Sequence, residues 1–152
     1  MNVKKPVTAA ITVGDQPTEA DLSALKAEGY VGVINLRNPG EPEQPLGPEA
    51  EAEAARAVGL DYLHYGVGAG ALTEQGVSAV CSFLDEHAAG KTLVHCRKGG
   101  RAVALVLLHK ARAEGWDADE TLAKAAPLGL GVEGGLRTLV ENYLREQDRG
   151  KG

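Results

Sequence analysis

A short apolar run, a cysteine and a basic, glycine-rich loop follow one another in the segment Lys91-Thr92-Leu93-Val94-His95-Cys96-Arg97-Lys98-Gly99-Gly100-Arg101. The apolar run has the length of a buried strand, and residues 101–114, apolar on nearly every side, predict a buried helix. In a parallel α/β sheet, strands end where helix N-termini direct free amide groups. The sequence therefore predicts that Cys96 lies at an anion-binding edge of such a sheet.

The rest of the chain alternates between strand and helix signals. Apolar runs predict strands over residues 7–13, 31–36, 61–65 and 92–95. Caps and helical periodicity predict helices over residues 18–29, 48–59, 73–88 and 101–114, one starting at Asp117 and one across residues 136–144. The segment from Asn38 to Pro48, which contains four prolines, predicts a long exposed loop. Helical spacers between strands predict an α/β fold with a central, mostly parallel sheet of four to five strands and helices on both faces.

The composition predicts one domain over residues 1–152, because a chain of 152 residues with 43% hydrophobic residues can bury one ordinary core.

A net charge of −5 argues against a nucleic-acid partner. No apolar stretch reaches the roughly 18 residues that span a bilayer, which argues against a membrane partner. Two cysteines without C-x-x-C spacing fit reduced thiols in a cytoplasmic protein. The spacing of cysteines and histidines predicts no metal site, and no cofactor is expected.

The surroundings of Cys96 are those of a reactive cysteine. The loop carries three basic residues, Arg97, Lys98 and Arg101. Such neighbours favour a thiolate. Gly99 and Gly100 let the backbone curl so that successive amides face one point and bind an oxyanion. A thiolate held there can attack a group whose oxygens the loop binds. Cys81, in contrast, lies between apolar residues of a predicted helix, which indicates packing.

This loop resembles that of the cysteine-dependent protein phosphatases, His-Cys-x-x-Gly-x-x-Arg. His95, Cys96 and Gly99 match it, but Ala102 stands where that pattern has arginine, and Arg101 comes one residue early. From about Ile11 to Gly131, the chain more closely resembles the bacterial phosphatase-like domain of beta-lactamase hydrolase-like proteins, a divergent branch of the dual-specificity phosphatase fold. The resemblance is carried by the shortened loop and by the segment Val33-Ile34-Asn35-Leu36-Arg37-Asn38-Pro39-Gly40-Glu41.

The resemblance implies an enzyme of the protein-tyrosine or dual-specificity phosphatase type, acting on a phosphorylated substrate of unknown identity, phosphotyrosine among the candidates. It implies that Cys96 is the nucleophile that becomes a phosphocysteine and that Arg101 is a bidentate phosphate clamp. The phosphate cradle would be formed by Arg97, Lys98, Gly99, Gly100 and Arg101. His95 would fix the geometry of the cysteine through backbone hydrogen bonds. Ala102 replaces the hydroxyl residue that helps the thiolate leave, so breakdown of the intermediate should be slow.

The general acid is not evident from the sequence. These phosphatases usually place an aspartate in the loop after the third predicted strand, yet residues 66–72 contain no acid. Glu41 or Glu43 could swing over the site as the acid. Glu41 could instead brace the loop together with Arg37, for which a surface ion pair is an equal alternative. Glu74 is expected in the first turn of a helix.

Two other functions stay open at this point. The six residues from Cys96 to Arg101 also match the rhodanese pattern Cys-Arg-x-Gly-x-Arg, and a ring of that size suits a persulfide sulfur. Against a sulfurtransferase, His95 before the cysteine is typical of phosphatases, and the Asp-x-Arg and Gly-His-Ile segments usual in rhodaneses are absent. A non-catalytic phosphate-binding module is the third possibility, and the missing acid favours it.

Overall fold

The structure is a computed structural model that describes residues 1–124, 127 and 134–151. Gly131 and Gly152, the ends of two predicted ranges, lie outside the described residues. The strands are β1 (Lys4–Pro6), β2 (Ile11–Gly14), β3 (Tyr30–Asn35), β4 (Asp61–His64) and β5 (Lys91–His95). The helices are α1 (Glu19–Ala27), α2 (Pro48–Ala57), α3 (Glu74–Glu86), α4 (Gly100–Glu114), α5 (Ala118–Ala123) and α6 (Gly134–Lys151).

The strands form one sheet in the order β1-β2-β5-β3-β4. The four strands β2, β5, β3 and β4 are parallel, and β1 pairs antiparallel with β2. Strand β5 is therefore central, with Val94 paired to Val13 on one side and to Ile34 on the other. The predicted mostly parallel α/β sheet is confirmed, and the residue after β5 is Cys96.

Helices cover both faces because the side chains of each strand alternate. Leu93 and Val33 pack with helices α1 and α2 in one apolar cluster. Val94 and Ile34 pack in the other cluster, which contains residues of α3, α4, α5 and α6. Among the described residues, no helix combines the length and the apolar character needed to cross a membrane.

The first strand was predicted wrongly. Residues 7–13 do not form one continuous strand, because the side chain of Thr8 accepts hydrogen bonds from the amides of Ala10 and Ile11 at 3.1 and 3.0 Å. Such side-chain-to-backbone bonds turn the chain. The segment is instead a hairpin, and its short outer strand β1 ends at Pro6, an edge position at which proline is tolerated.

Several helix starts follow from local chemistry. Thr18 and Asp21 form the predicted capping box at the start of α1. Pro48 is the first residue of α2, Thr73 caps α3, and Asp117 caps α5 by accepting from the amide of Glu120. Because helices connect the strands, β2, β5 and β3 run parallel, and their carboxyl ends lie side by side at the same end of the sheet.

Candidate active site

Cys96 directly follows the carboxyl end of the central strand β5, and it is 2% exposed. The amide of Gly99 donates a hydrogen bond to Cys96 Sγ at 3.1 Å. Gly99 has φ +106° and caps α4, a backbone conformation that favours glycine. The glycine predicted to curl the loop therefore brings its backbone amide to the sulfur of Cys96.

The N-terminus of α4 adds positive charge to the loop. No side chain caps this terminus, and its first turn contains no acidic residue. The first amides of a helix have no partner within the helix, so they remain available to an anion. Residues 97–101 thus form a tight turn that leads into an uncapped helix start, and their role as a phosphate cradle stays a prediction.

Arg101, in the first turn of α4, is held from one side by Glu41. Its Nη1 and Nη2 atoms each donate to a Glu41 carboxylate oxygen at 2.8 Å, and Nη1 also donates to the carbonyl of Val67 at 3.0 Å. The pKa of Arg101 is raised, first by the bond to Glu41 and also by the nearby Cys96. The hydrogen bonds that Arg101 makes among the described residues use Nη1 and Nη2 and leave Nε without one.

Glu41 has the contacts of a brace. Its carboxylate also accepts from Arg37 Nε at 3.1 Å and from the amide of Asn38 at 2.7 Å. These bonds, that of Arg101 above all, lower the pKa of Glu41 to about 2. At neutral pH this side chain holds no proton to donate. The general-acid role considered for Glu41 therefore disagrees with the structure, whereas the bracing role agrees with it.

Arg37 does not form a surface ion pair, because its side chain is completely buried. Besides Glu41, it donates to Gln16 Oε1 and to the carbonyl of Glu43, both at 2.9 Å, and to the carbonyl of Pro42. A buried guanidinium needs this number of acceptors. Arg37 thus folds the proline-rich loop back onto the sheet and brings Glu41 to Arg101.

Two basic residues of the loop lie nearer the surface. Arg97 pairs with the exposed carboxylate of Glu43, and this contact lowers the pKa of Glu43. Glu43 is therefore ionised at neutral pH and, like Glu41, holds no proton for a leaving group. Lys98 is exposed, and its charge adds to the positive field at the mouth of the loop.

His95 points away from Cys96, as expected for adjacent residues at the end of a strand. Its Nε2 lies 2.5 Å from Glu51 Oε2, and both side chains are completely buried. Its Nδ1 has no partner among the described residues. The imidazole faces α2 rather than Cys96, and the backbone bonds beside the cysteine are those of the sheet, in which the carbonyl of His95 accepts from the amide of Leu36 at 3.0 Å.

The loop after β4 contributes a backbone carbonyl to the site, and residues 66–72 contain no acidic side chain. The carbonyl of Val67 accepts from Arg101 and also from Asn38 Nδ2 at 3.0 Å. Glu74 lies in the first turn of α3, as predicted, and its carboxylate bonds to Ser78, Arg112 and Tyr143. A general acid is therefore absent from the described loops around Cys96. No group of three His, Cys, Asp or Glu side chains in the described residues is arranged to hold a metal ion.

A cavity of about 410 Å³ opens beside Arg101. It is lined by Gly68, Gly70, Arg101, Gly135, Leu136 and Leu139. Arg101 is the charged residue of this lining, and the other residues are small or apolar. An anionic group that binds Arg101 can therefore carry an uncharged, apolar substituent.

Three polar residues of the site were not predicted from the sequence. Gln16 and Asn38 contact Arg37 and Glu41 from loops without a motif, so no local signal marks them. Glu51 does carry one. It lies on the buried face of α2 with Pro48, Ala52 and Ala55, and a charged residue on an apolar face indicates a buried partner.

The family model for the phosphatase-like domain of beta-lactamase hydrolase-like proteins matches residues 4–113. The chain belongs to this family. The resemblance predicted from the two motifs is thereby confirmed. A beta-lactamase hydrolase-like protein of Agrobacterium fabrum (strain C58) is 37% identical over 106 residues, which are 69% of this chain and 24% of the relative. One from Xylella fastidiosa (strain Temecula1) is 35% identical over 103 residues, 67% of this chain and 23% of the relative.

The chain therefore spans about a quarter of the length of these relatives. Solved structures share its fold. Tk-PTP in its active form has a TM-score of 0.76 at 19% identity, with 95% of this chain and 97% of that chain covered. A DUF442 protein from Shewanella putrefaciens CN-32 has a TM-score of 0.72 at 21% identity, with 95% and 92% covered. The phosphatase-like domain thus has the fold of protein tyrosine phosphatases.

Proposed function

We propose that this domain is a cysteine-dependent phosphatase that hydrolyses phosphomonoesters through a phosphocysteine on Cys96. The observation that supports it most directly is the arrangement of Cys96 and Arg101. The sulfur accepts an amide bond from Gly99 at the start of α4, and the neighbouring guanidinium keeps one edge free for oxygen ligands. Membership of a phosphatase-like family agrees with this chemistry.

In the proposed reaction, the Cys96 thiolate attacks phosphorus, and the bond from phosphorus to the leaving oxygen breaks with its electron pair. The amides at residues 97–101 and the free edge of Arg101 bind the other phosphate oxygens as their charge grows. Water then attacks the phosphocysteine, releases inorganic phosphate and returns the thiolate. His95 supports the end of the strand from the opposite face and does not contact the substrate.

The lack of a general acid restricts the substrates. Glu41 and Glu43 are ionised, so neither can protonate the leaving oxygen. We expect phosphates with good leaving groups, such as aryl esters, to be the better substrates. A phosphotyrosine side chain has such a phenolic leaving group, and the apolar walls of the cavity beside Arg101 suit its ring.

A second candidate is a rhodanese-like sulfurtransferase, which the six-residue loop and the absent acid both favour. Here the Cys96 thiolate attacks the outer sulfur of thiosulfate, and sulfite leaves with the electron pair of the sulfur–sulfur bond. The resulting persulfide passes its outer sulfur to cyanide, which yields thiocyanate and the free thiolate. Sulfite needs no proton in order to leave, so this chemistry does not require the missing acid.

One paired assay separates these functions. Wild type and Cys96→Ser are incubated with p-nitrophenyl phosphate, with and without vanadate, and in parallel with thiosulfate and cyanide. Vanadate-sensitive phosphate release that Cys96→Ser abolishes supports the phosphatase. Thiocyanate formation alone supports the sulfurtransferase and refutes the phosphatase. No turnover of either substrate leaves a phosphate-binding module as the function and refutes both enzymes. Cys81→Ser is the matched control, because that thiol is buried in the core.

A further inference from the structure

A continuous chain of hydrogen bonds runs through the interior between the two sides of the candidate site. Its members, in order, are Arg101, Glu41, Arg37, Gln16, Glu51 and His95. The five links measure 2.8, 3.1, 2.9, 2.6 and 2.5 Å. One end is Arg101, the proposed phosphate clamp, and the other end is His95, the residue before Cys96. We call these six residues the polar chain.

Gln16 is the central, neutral link of the polar chain. Its Oε1 accepts from Arg37 Nη1, and its Nε2 donates to Glu51 Oε1 and to the carbonyl of Pro17. A guanidinium has only donors and a carboxylate has only acceptors, so this amide has a single orientation that satisfies both neighbours. Gln16 therefore joins a buried cation to a buried carboxylate, and each of them is fixed by the other.

The charges of the polar chain make this link important. Arg37 and Glu51 are both completely buried, and a buried charge without its partner is costly. If Gln16 were lost, one nitrogen of Arg37 would keep only the carbonyl of Glu43, and Glu51 would lose one of its donors. Arg37 could then shift, and with it the Glu41 carboxylate that sets the orientation of Arg101.

We propose that Gln16 is a positioning residue that keeps the free edge of Arg101 directed at the anion bound by the Cys96 loop. This inference rests on the proposed function in so far as that function requires an anion site at Cys96. Gln16 acts without touching the substrate. It lies two residues after β2, and the carboxyl end of β2 lies beside that of β5.

Protection of Cys96 from iodoacetamide by inorganic phosphate tests the proposal. Trypsin releases Cys96 in the peptide 92–97, separate from Cys81, so its alkylation rate can be followed by mass spectrometry. We expect Gln16→Met, which keeps the volume and loses all three hydrogen bonds of the amide, to raise the half-protecting phosphate concentration about tenfold. Gln75→Met, on the exposed surface of α3, is the matched control and should leave it unchanged. Thermal unfolding of each variant verifies the fold.

A double-mutant cycle distinguishes positioning of Arg101 from a general structural effect. Arg101→Lys removes the planar guanidinium and should weaken protection by itself. If Gln16 acts through Arg101, adding Gln16→Met to Arg101→Lys should change the half-protecting concentration less than twofold. An undiminished tenfold effect in the Arg101→Lys background would overturn the proposal.

An exchange of the two polar side chains provides a rescue. Gln16→Glu alone sets two carboxylates against each other, and we expect it to weaken phosphate protection. The double variant Gln16→Glu with Glu51→Gln exchanges the two side chains. Arg37 then donates to the carboxylate at position 16, and the amide nitrogen at position 51 donates to the same carboxylate. The amide oxygen at position 51 accepts from His95. Net charge and the donor–acceptor matches along the polar chain are kept, and the bond from residue 16 to the carbonyl of Pro17 is the one that is lost, so protection should return to within about threefold of wild type.

The failures can be told apart. If phosphate protects the wild type and Gln16→Met equally, or if the exchange rescues nothing, the role of Gln16 is refuted while the anion site stands. If phosphate does not protect wild-type Cys96 at any concentration, the anion site itself is refuted, and the proposed phosphatase and the role of Gln16 are overturned together.

Discussion

Replacement of Glu41 by glutamine tests the brace on Arg101 through protein stability. The folded protein lowers the pKa of Glu41 from 4.5 to about 2. At about 1.4 kcal/mol for each tenfold change in proton affinity, the folded state favours the carboxylate by about 3 kcal/mol. The side chain is 18% exposed, so solvent screens little of this energy. An amide oxygen still accepts one or two of the bonds, so we expect Glu41→Gln to lower the free energy of unfolding at pH 7 by about 2 kcal/mol.

The same contact has a defined pH dependence. Because the folded pKa of Glu41 lies below the ordinary value of 4.5, its stabilising effect is complete above pH 4.5 and is lost as the pH falls toward 2. Glutamine does not titrate. The difference in unfolding free energy between wild type and Glu41→Gln should therefore shrink by about 1.4 kcal/mol between pH 7 and pH 3.5.

Urea unfolding followed by far-UV circular dichroism at a series of pH values measures both quantities. Glu43→Gln is the control, since Glu43 also pairs with an arginine of the loop but is exposed and should show little effect. A difference for Glu41→Gln that stays constant from pH 7 to pH 3.5 would refute the assignment of the low pKa. An equal loss of unfolding free energy in Glu43→Gln would show that the measurement reports the charge of the loop in general rather than the bidentate pair of Glu41 with Arg101.

Three further predictions concern the reaction and the loop. Ala102→Ser should speed breakdown of the proposed phosphocysteine, so that the burst of p-nitrophenol shrinks relative to the steady state; equal phases in both proteins would contradict this. Gly99→Ala should cost at least about 1 kcal/mol of stability and weaken phosphate protection of Cys96, because φ there is +106°; Gly150→Ala, where a methyl group meets open space, is its control. The turnover of substituted phenyl phosphates should fall steeply as the phenol becomes a poorer leaving group, and a flat dependence would indicate an acid that the described loops do not show.

Most of the fold is predictable because its signals are local. The capping box at Thr18 starts α1, and the opposite orientations of Leu93 and Val94 follow from the period of a strand. The hairpin at the N-terminus is different. Lys4–Pro6 is three residues long and has no apolar periodicity, so it becomes a strand only by pairing with β2. A strand that depends on its partner leaves no pattern of its own in the sequence.

The residues of the site also divide into those that a local sequence pattern predicts and those that only the fold brings together. Cys96, Gly99 and Arg101 are neighbours in sequence, so one loop motif predicts their proximity. The polar chain is assembled from residues far apart along the sequence, and its energy lies in matching buried donors to buried acceptors. A sequence shows which side chains carry charge, but not which of them the fold removes from water. The two possible roles of Glu41 illustrate this. An exposed glutamate could lend a proton, but the same side chain between Arg101 and Arg37 has to remain a carboxylate. Burial therefore makes Glu41 a brace, and in the proposed reaction the leaving group departs without its help.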